Sequence, residues 1–400
     1  MLTEIPMLII VTCVMYGIAV GHWPLLSVNR TSIALIGSAA LLVIGAVTPA
    51  QAWKHVDGDT LAILAGMMLI NGAIEESGLY GNLTTLIVRH VRHARQLLAV
   101  IMLLSAVLSA LFLNDTVVLL FTPFVLILAR ETRAPAIPLL LGLAISANIG
   151  SAATITGNPQ NILIGALSGL SFTNFLTAML PTVATSLFVA WGMLAWMFRQ
   201  QLQPLPPAPT LPDMVPVSRQ IIFMIIGLAV LFVVGVAPVV AVLGIATLTL
   251  LQRRTPSVQR LQHIDSGLLL FFVGLFIVTG TFQHSQSATH LYASMQTHIN
   301  ADVLRFGAVS VILSNLISNV PAVILLSPLV TTLPQTDIAW IMLAASSTLA
   351  GNTTLLASVA NLIVAERAMQ QGVQISFAQY LRVGLPVTCV SLVIAGWFLS

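Results

Sequence analysis

Long apolar stretches, separated by short polar ones, run along the whole chain. The uninterrupted ones lie at 7–20, 32–47, 60–74, 175–198, 221–236, 239–251, 267–282 and 380–399. Apolar runs of this length and number are typical of membrane-spanning helices, which need roughly 20 residues to cross the hydrocarbon core. Polar stretches at 82–95 and 283–300 follow the third span of each half. The pattern therefore predicts an all-α polytopic membrane protein.

Two further apolar segments, 97–129 and 303–330, are interrupted by polar residues. The interruptions are Asn114, Asp115 and Thr116 in the first segment and Ser318, Asn319 and Pro321 in the second. As one straight helix, 97–129 would extend about 50 Å, which is too long for a core of about 30 Å. Each segment is therefore predicted to be a re-entrant hairpin of two half-helices, which enters and leaves the membrane on the same side.

The spans at 137–165 and 338–364 each contain a polar break. In the first, Gly157 lets the chain leave helical geometry and Pro159 removes a backbone donor. Backbone groups freed at membrane depth are tolerated only against protein or a water-filled cavity, so a broken span points to a transporter binding site. The residues expected to support the two breaks are Thr154, Pro159, Asn161, Thr354 and Asn361.

The two halves of the chain match each other at polar and glycine positions. At a separation of 208 residues, the matches are His55, Asp57, Gly66 and Gly72 with His263, Asp265, Gly274 and Gly280. At 205 they are Ser109, Asn114 and Pro123 with Ser314, Asn319 and Pro328. At 200 they are Ser146, Thr154 and Asn161 with Ser346, Thr354 and Asn361. Matches that fall in the same order three times predict an internal repeat.

A proline-rich segment at 199–219 separates the halves and is expected to be an extended, semi-rigid spacer. The predicted domains are a first repeat at 1–198, this linker, and a second repeat at 220–400. Each repeat contains five full spans and one hairpin. Because five is odd, the second repeat would be inverted relative to the first.

The basic residues test this topology. It places thirteen of them on one face, namely Arg30, Arg89, Arg92, Arg95, Arg130, Arg133, Arg199, Arg219, Arg253, Arg254, Arg260, Arg367 and Arg382. Only Lys54 and Arg305 fall on the other face. Since cytoplasmic loops are enriched in Lys and Arg, the linker and the mouth of the first hairpin are predicted to be cytoplasmic. Both termini would then lie outside the cytoplasm, for a protein of the bacterial inner membrane.

The composition narrows the class of protein further. Hydrophobic residues make up 58% of the chain and charged residues 7%, with a mean hydropathy of +1.00. A net charge of +3 on such a chain reflects membrane topology, so no nucleic-acid partner is expected. The sequence carries no zincin, P-loop or nucleophile-elbow motif, which predicts a protein that is not an enzyme. A primary pump would need a separate ATPase subunit.

The polar interruptions carry the candidate chemistry. Two hairpin tips and two breaks are expected to meet near the middle of the bilayer. Half-helix ends, freed carbonyls and the side chains of Asn and Thr can bind a small cation such as sodium there, together with a co-substrate. Asp115 is the one carboxylate predicted deep in the membrane. Acids there usually mark ion or proton paths, so Asp115 is a candidate for either cation ligation or proton coupling.

These residues resemble those of the ion transporter superfamily, which includes divalent anion/sodium symporters, arsenite permeases and sodium/proton antiporters. GNPQN at 157–161 looks like the broken-helix motif of that family, and 347–366 looks like its counterpart in the second half. The resemblance covers essentially the whole chain, with a citrate-transporter-like domain. It implies a homodimer in which a transport domain moves vertically against a scaffold, as in an elevator.

The resemblance also implies roles for individual residues. One sodium site would be lined by Ser109, Asn114 and Gly157, with Asp115 beside it, and the other by Ser314, Asn319 and Ala357. The residues facing the substrate would be Asp115, Asn158, Ser318, Asn319 and Ser358, and the hairpin tip adds Asn114 and Thr116. No cofactor other than bound sodium is expected.

The chain departs from the symporter motif at both hairpin tips. Asp115 and Val320 replace the threonines that would meet a substrate carboxylate. The expected function is therefore ion-coupled secondary transport of a small anion or oxyanion, driven by sodium or protons. Two alternatives are efflux of neutral arsenite or antimonite, which a charged Asp115 would not repel, and sodium/proton antiport without an organic substrate.

Overall fold

The computed structural model describes residues 3–20, 22–23, 26–77, 82, 86–87, 90–206, 218–251 and 257–399. The elements of the first half are α1 (Glu4–Val20), β1 (His22–Trp23), β2 (Leu26–Asn29), α2 (Arg30–Val43), α3 (Pro49–His55), α4 (Gly58–Glu76), α5 (Ala94–Leu111), α6 (Asn114–Thr132), α7 (Ala136–Ser151), α8 (Pro159–Ser168) and α9 (Phe172–Met197). Those of the second half are α10 (Arg219–Val233), α11 (Pro238–Leu250), α12 (Ser257–Leu261), α13 (Ser266–Gln283), α14 (Gln286–Ile299), α15 (Val303–Ile317), α16 (Asn319–Val330), α17 (Thr336–Ala350), α18 (Val359–Gln370) and α19 (Phe377–Leu399).

This architecture confirms the prediction of an all-α polytopic membrane protein. Five of the described helices, α4, α5, α9, α13 and α19, are long and apolar enough to cross a bilayer, and eight shorter helices are also apolar. The sequence pattern missed the short antiparallel pair β1–β2 and the helix α3. Residues 83–85 and 88–89 of the predicted polar stretch and residues 207–217 of the linker lie outside the described residues.

All four interruptions fall within a few residues of the predicted positions, and Asn114, Asp115 and Thr116 form the first turn of α6. Phe112 and Leu113 separate α5 from α6, and Ser318 separates α15 from α16. Residues 152–158 separate α7 from α8, and residues 351–358 separate α17 from α18. Pro159 occupies the first turn of α8, where its missing N–H costs no helical hydrogen bond.

The interrupted segments pack together. α5 contacts α6 and both lie on α7, while α15 contacts α16 and both lie on α17. Almost every residue of α7 and α17 is buried, so these two helices form the centre of the molecule. Large apolar side chains on α9, α10 and α19 are exposed, as expected where lipid replaces water as the solvent.

Contacts between the two halves are reciprocal. α2 packs on α13 and α4 packs on α11, while α18 packs on α6 and α7, and α8 packs on α16 and α17. A methyl group added at Gly72 would lie 2.3 Å from Cγ of His263, and one added at Gly280 would lie 2.5 Å from Cγ of His55. Each histidine therefore packs directly on the glycine of the other half. The two histidines, like the two glycines, are matching positions of the repeat.

Candidate functional site

A cavity of about 330 Å³ lies between the helices α1, α2 and α13 and the interrupted segments. Its lining is Ile18, Asn29, Arg30, Thr31, Asn114, Asp115, Pro159, Gln160, Asp265, Gly267, Leu268, Phe271, Phe272, Ser318, Asn319, Val320, Pro321, Ala357, Ser358 and Val359. The cavity thus collects both predicted hairpin tips and residues from both predicted breaks.

Six helix N-termini converge on this cavity. Apart from Ile18 in α1, the lining residues belong to the first two turns of α2, α6, α8, α13, α16 and α18, or lie just before them. The first N–H groups of a helix lack partners within the helix, and the helix dipole places about half a positive charge there. Asn29, Asn158 and Asp265 already cap α2, α8 and α13, whereas α6, α16 and α18 have no side-chain cap. Uncapped helix starts are ready anion-binding groups, so these ends favour a negatively charged ligand in the cavity.

The lining contains three charged side chains, namely the cationic Arg30 and the carboxylates of Asp115 and Asp265. Asp265 caps α13, because its Oδ1 accepts the N–H of Leu268 at 2.9 Å. Arg30 is the first residue of α2 and attracts the Asp115 carboxylate through space, without a direct salt bridge. The cavity therefore offers one cation and one carboxylate that is not occupied by capping.

The tip of the first hairpin is docked on the first break. The N–H of Asn114 donates to the carbonyl of Gly157 at 2.9 Å, and Nδ2 of Asn114 donates to Oδ1 of Asn148 at 3.1 Å. Oδ1 of Asn114 accepts the N–H of Asp115 at 2.9 Å. Only glycine fits at Gly157, since a methyl group there would lie 2.2 Å from the carbonyl oxygen of Ser151.

Asn148 joins the first hairpin to the second break. Its Nδ2 donates to Oδ1 of Asn352 and to Oδ1 of Asn361, both at 2.9 Å. Its Oδ1 accepts from Asn114 and from the hydroxyl of Ser358, both at 3.1 Å. With its side chain only 2% exposed, every hydrogen-bonding capacity of this amide is used inside the protein.

The two breaks are stabilised in the same way. Nδ2 of Asn161 donates to the carbonyls of Ser151 and Thr154, at 3.1 and 2.9 Å. At a separation of 200 residues, Nδ2 of Asn361 donates to the carbonyls of Gly351 and Thr354, at 2.8 and 3.1 Å. Each asparagine therefore satisfies carbonyls that the break removes from the helix. The hydroxyl of Thr154 also donates to the carbonyl of Ala110 in α5.

The structure keeps two of the predicted substrate contacts away from the cavity. Asn158 is fully buried. Its Oδ1 accepts the N–H of Asn161 at 2.8 Å, which caps α8, and its Nδ2 donates to Oγ1 of Thr348 at 3.2 Å. Thr116 is half-buried on α6 and is absent from the lining. The amide of Asn158 is held inside the protein by its hydrogen bonds. Thr116 is the third residue of α6, and the direction of this helix turns its side chain away from the cavity. Asn114, Asp115, Ser318, Asn319 and Ser358 do line it.

Three buried oxygens that have no hydrogen-bond partner among the described residues belong to residues of the predicted cation sites. They are Oγ of Ser109, Oγ of Ser314 and Oδ1 of Asn319. Ser109 and Ser314 sit in the last turns of α5 and α15, where the helix dipole is negative and carbonyls lack partners. Oxygen ligands of this kind suit a hard cation such as sodium. The donor set therefore fits the ion that the sequence implies.

The two hairpin tips differ in detail. Both Nδ2 and Oδ1 of Asn114 have a hydrogen-bond partner, whereas Oδ1 of Asn319 has none among the described residues. Ser318 has φ +78° and ψ 158°, a conformation that favours glycine and costs other residues about 1–3 kcal/mol. Leu113, at the same place in the first hairpin, has φ −61°. Strained backbone of this kind gathers at ligand-binding segments.

Sequence reasoning missed Arg30, Gln160 and Asp265 as cavity residues. In the sequence, Arg30 enters only the count of basic residues and Asp265 only the match with Asp57. A signal for Arg30 was available, because a basic residue at the start of an apolar helix opposes the helix dipole and so calls for another partner. Gln160 stands in the GNPQN motif but was given no role.

The fold and the cavity together define a polytopic transport protein with broken helices. The crystal structure of the Alcanivorax borkumensis YdaH transporter has a similar fold, with a TM-score of 0.60 over 99% of this chain and 97% of that one, at 14% identity. The model of the citrate transporter family, CitMHS, matches residues 7–350. The chain belongs to this family, which confirms the resemblance seen in the sequence.

Two relatives extend over nearly the same length. The silicon efflux transporter LSI3 of Oryza sativa is 27% identical, over 92% of this chain and 91% of its own. A Dictyostelium discoideum transporter candidate named arsB is 24% identical, over 96% of this chain and 89% of its own. The family and its members are transporters, so the protein is an integral membrane transporter and not an enzyme.

Proposed function

We propose that the protein is a secondary transporter that moves a small anion or oxyanion across the bacterial inner membrane. The observation that carries this proposal is the convergence of six helix N-termini, with Arg30, on one cavity. Positive helix ends and a guanidinium stabilise negative charge in this site, where Asp265 is engaged in capping α13 and Asp115 is the one other carboxylate. The family description as citrate transporters supports an anionic substrate.

Coupling to sodium or protons belongs to the same proposal. The partnerless oxygens of Ser109, Ser314 and Asn319 support sodium, because they would otherwise be costly buried acceptors. Asp115 supports a proton, since carboxylates at membrane depth usually mark proton or ion paths. Half-helix C-termini beside N-termini allow one hairpin to hold a cation and an anion together.

We further propose an inverted repeat that works as an elevator, in a homodimer with both termini outside the cytoplasm. The reciprocal contacts of α2 with α13 and of α4 with α11 support a scaffold, and the packing of hairpins on broken helices supports a separate moving unit. The distribution of basic residues supports the orientation. In that orientation, the starts of α2 and α13 lie on the cytoplasmic side, so the cavity faces the cytoplasm.

A second candidate is efflux of a neutral metalloid acid such as arsenite or antimonite. The observation that favours it is the Asp115 carboxylate in the cavity, which can accept hydrogen bonds from hydroxyl groups of an uncharged acid. Relatives named as a silicon efflux transporter and as arsB point the same way.

Transport by purified protein in proteoliposomes tests the proposed function. The substrates are citrate, arsenate, arsenite and silicic acid, each with an imposed sodium gradient or pH gradient. We expect at least one anion to move in response to one gradient. Movement of arsenite or silicic acid alone would favour the second candidate, and no movement of any of them would contradict both.

Replacing Ser314 with alanine is expected to raise the sodium concentration for half-maximal transport at least about tenfold, because losing one charge-assisted bond costs roughly 1.5–3 kcal/mol. The matched control is Ser310→Ala, one turn earlier on α15, whose hydroxyl is also buried and partnerless. The control should leave the sodium dependence unchanged. Equal behaviour of the two variants would contradict a sodium site at the second hairpin.

A further inference from the structure

Arg30 occupies a position that the stability of its own helix does not explain. It is the first residue of α2, where a positive charge opposes the positive end of the helix dipole. It is half-buried and lines the cavity. A charge held at an unfavourable helix end, and facing a cavity, implies an interaction with something on the other side of that cavity.

The neighbours of Arg30 hold it in place. Oδ1 of Asn29 accepts the N–H of Ser32 at 2.9 Å and so caps α2. The hydroxyl of Thr31 donates to the carbonyl of Gly267 at 3.1 Å, which ties the start of α2 to the start of α13. Arg30 is therefore fixed to the α2–α13 pair, while Asn114, Asn319 and Ser358 reach the cavity from the interrupted segments.

The charges around Arg30 leave it able to bind a ligand. Asp265 already caps α13 through Oδ1, and Asp115 attracts Arg30 without a direct salt bridge. Within the described lining, Arg30 is the one basic side chain. Its guanidinium has five N–H donors in a planar fork, which matches carboxylates and oxyanions with two hydrogen bonds.

An independent feature of the same cavity also calls for a ligand. Asn319 is 9% exposed and lines the cavity, and its Oδ1 has no partner among the described residues. An acceptor of this kind needs a hydroxyl donor or a cation. A ligand that carries anionic oxygens, together with a hydroxyl group or an accompanying sodium ion, would satisfy Arg30 and Asn319 at once.

We propose that Arg30 is the residue that selects for anionic substrates, by binding their oxygens from the side of α2 and α13. This inference rests on the proposed function. The substrate then bridges the scaffold helices and the hairpin tips. Because Arg30 belongs to the scaffold, it contributes only while the moving unit is at the cytoplasmic face. The substrate leaves Arg30 behind when the hairpins carry it outward.

The test compares Arg30→Gln with Arg219→Gln in full-length protein. Arg219 is the matched control, because it is also the first residue of an apolar helix, α10, but is exposed and outside the cavity. The probes are citrate and arsenate as anions and arsenite as a neutral acid. Half-saturating concentrations are measured separately from the cytoplasmic and external faces, in inside-out and right-side-out vesicles.

We expect Arg30→Gln to raise the half-saturating concentration of the transported anion at least about tenfold at the cytoplasmic face and less than about twofold at the external face. For Arg30→Lys, the half-saturating concentration at the cytoplasmic face should lie between those of the wild type and of Arg30→Gln, since an ammonium group keeps the charge but lacks the planar fork. Transport of arsenite, where the wild type shows it, should be unchanged. Thermal unfolding of each variant in detergent serves as a check on folding.

An equal loss for Arg219→Gln, an equal loss at both faces, or no loss for Arg30→Gln would each overturn the inference while leaving the proposed function intact. If the wild type responds to neither anion, the proposed function fails as well, and the two failures are thereby distinguished. A variant that loses arsenite along with the anions would also overturn charge selection, because a neutral acid does not require the guanidinium.

Discussion

Replacing Asn148 with alanine is expected to abolish transport and to lower the midpoint of thermal unfolding. The side chain joins Asn114 of the first hairpin to Asn352, Ser358 and Asn361 of the second break, through hydrogen bonds of 2.9–3.1 Å. Alanine removes all of them and leaves buried polar groups without partners, at about 1–3 kcal/mol for each group that stays unpaired. Transport into proteoliposomes and unfolding in detergent measure the two effects.

The matched control for this variant is Asn71→Ala. Asn71 is also a buried asparagine, 3% exposed, but it lies on α4 and its Nδ2 has no partner among the described residues. Losing it should change both readouts far less. Wild-type transport by Asn148→Ala would show that the hairpin and the second break work independently, contrary to the site described above.

Replacing Asp115 with asparagine is expected to remove the coupling of transport to protons while the protein stays folded. Asp115 is the one carboxylate that a hairpin brings to the cavity, and an amide of the same shape cannot exchange a proton. The measurement is proton movement, reported by a pH-sensitive dye inside proteoliposomes, during transport driven by the substrate gradient. Transport itself should continue without the proton flux.

The control for Asp115→Asn is Asp265→Asn, at the other carboxylate of the cavity. Asp265 caps α13, and asparagine is an equally good capping residue, so this variant should keep both its fold and its pH dependence. Full proton movement by Asp115→Asn would assign that side chain a structural role. The coupled protons would then move through another group of the protein.

The sequence alone predicts the helices and their breaks, because lipid and backbone chemistry constrain both strongly. Long apolar runs mark helices, since a helix satisfies its own backbone in lipid. Gly157, Pro159 and Asn161 mark the first break. Gly157 and Pro159 interrupt the helix and free backbone groups, and the side chain of Asn161 donates hydrogen bonds to the freed carbonyls. The observed ends of α5, α6, α15 and α16 therefore fall within a few residues of the predicted segments.

The composition of the cavity was less predictable, because it depends on how distant segments pack. Arg30 and Asp265 are separated from the hairpin tips by many residues, and only the packing of α2 on α13 brings them to the cavity. Asn158 belongs to the break motif, yet its amide is used up by Asn161 and Thr348. Polar residue type indicates a site, but it does not say which side chains face it.

The internal repeat was less predictable than the helices and their breaks, but more predictable than the composition of the cavity. The equivalent contacts of Asn161 and Asn361 with their own breaks support the repeat. Its inverted orientation stays a prediction from the odd number of spans and the distribution of basic residues. α5 is long enough to cross a bilayer by itself, so length does not decide whether the first hairpin re-enters. Its partner α6 and the docking of Asn114 on Gly157 favour re-entry.

Labelling of single cysteines from each side of the membrane tests the central claim, that two hairpins enter from opposite faces and share one cavity. In a variant with Cys13 and Cys389 replaced by serine, the cysteines are introduced one at a time at Gln96, Arg130, Arg305 and Thr332, the exposed ends of the hairpins. An impermeant maleimide should label the first two only from the cytoplasmic face and the last two only from the external face. Labelling of the two ends of either hairpin from opposite faces would contradict the account.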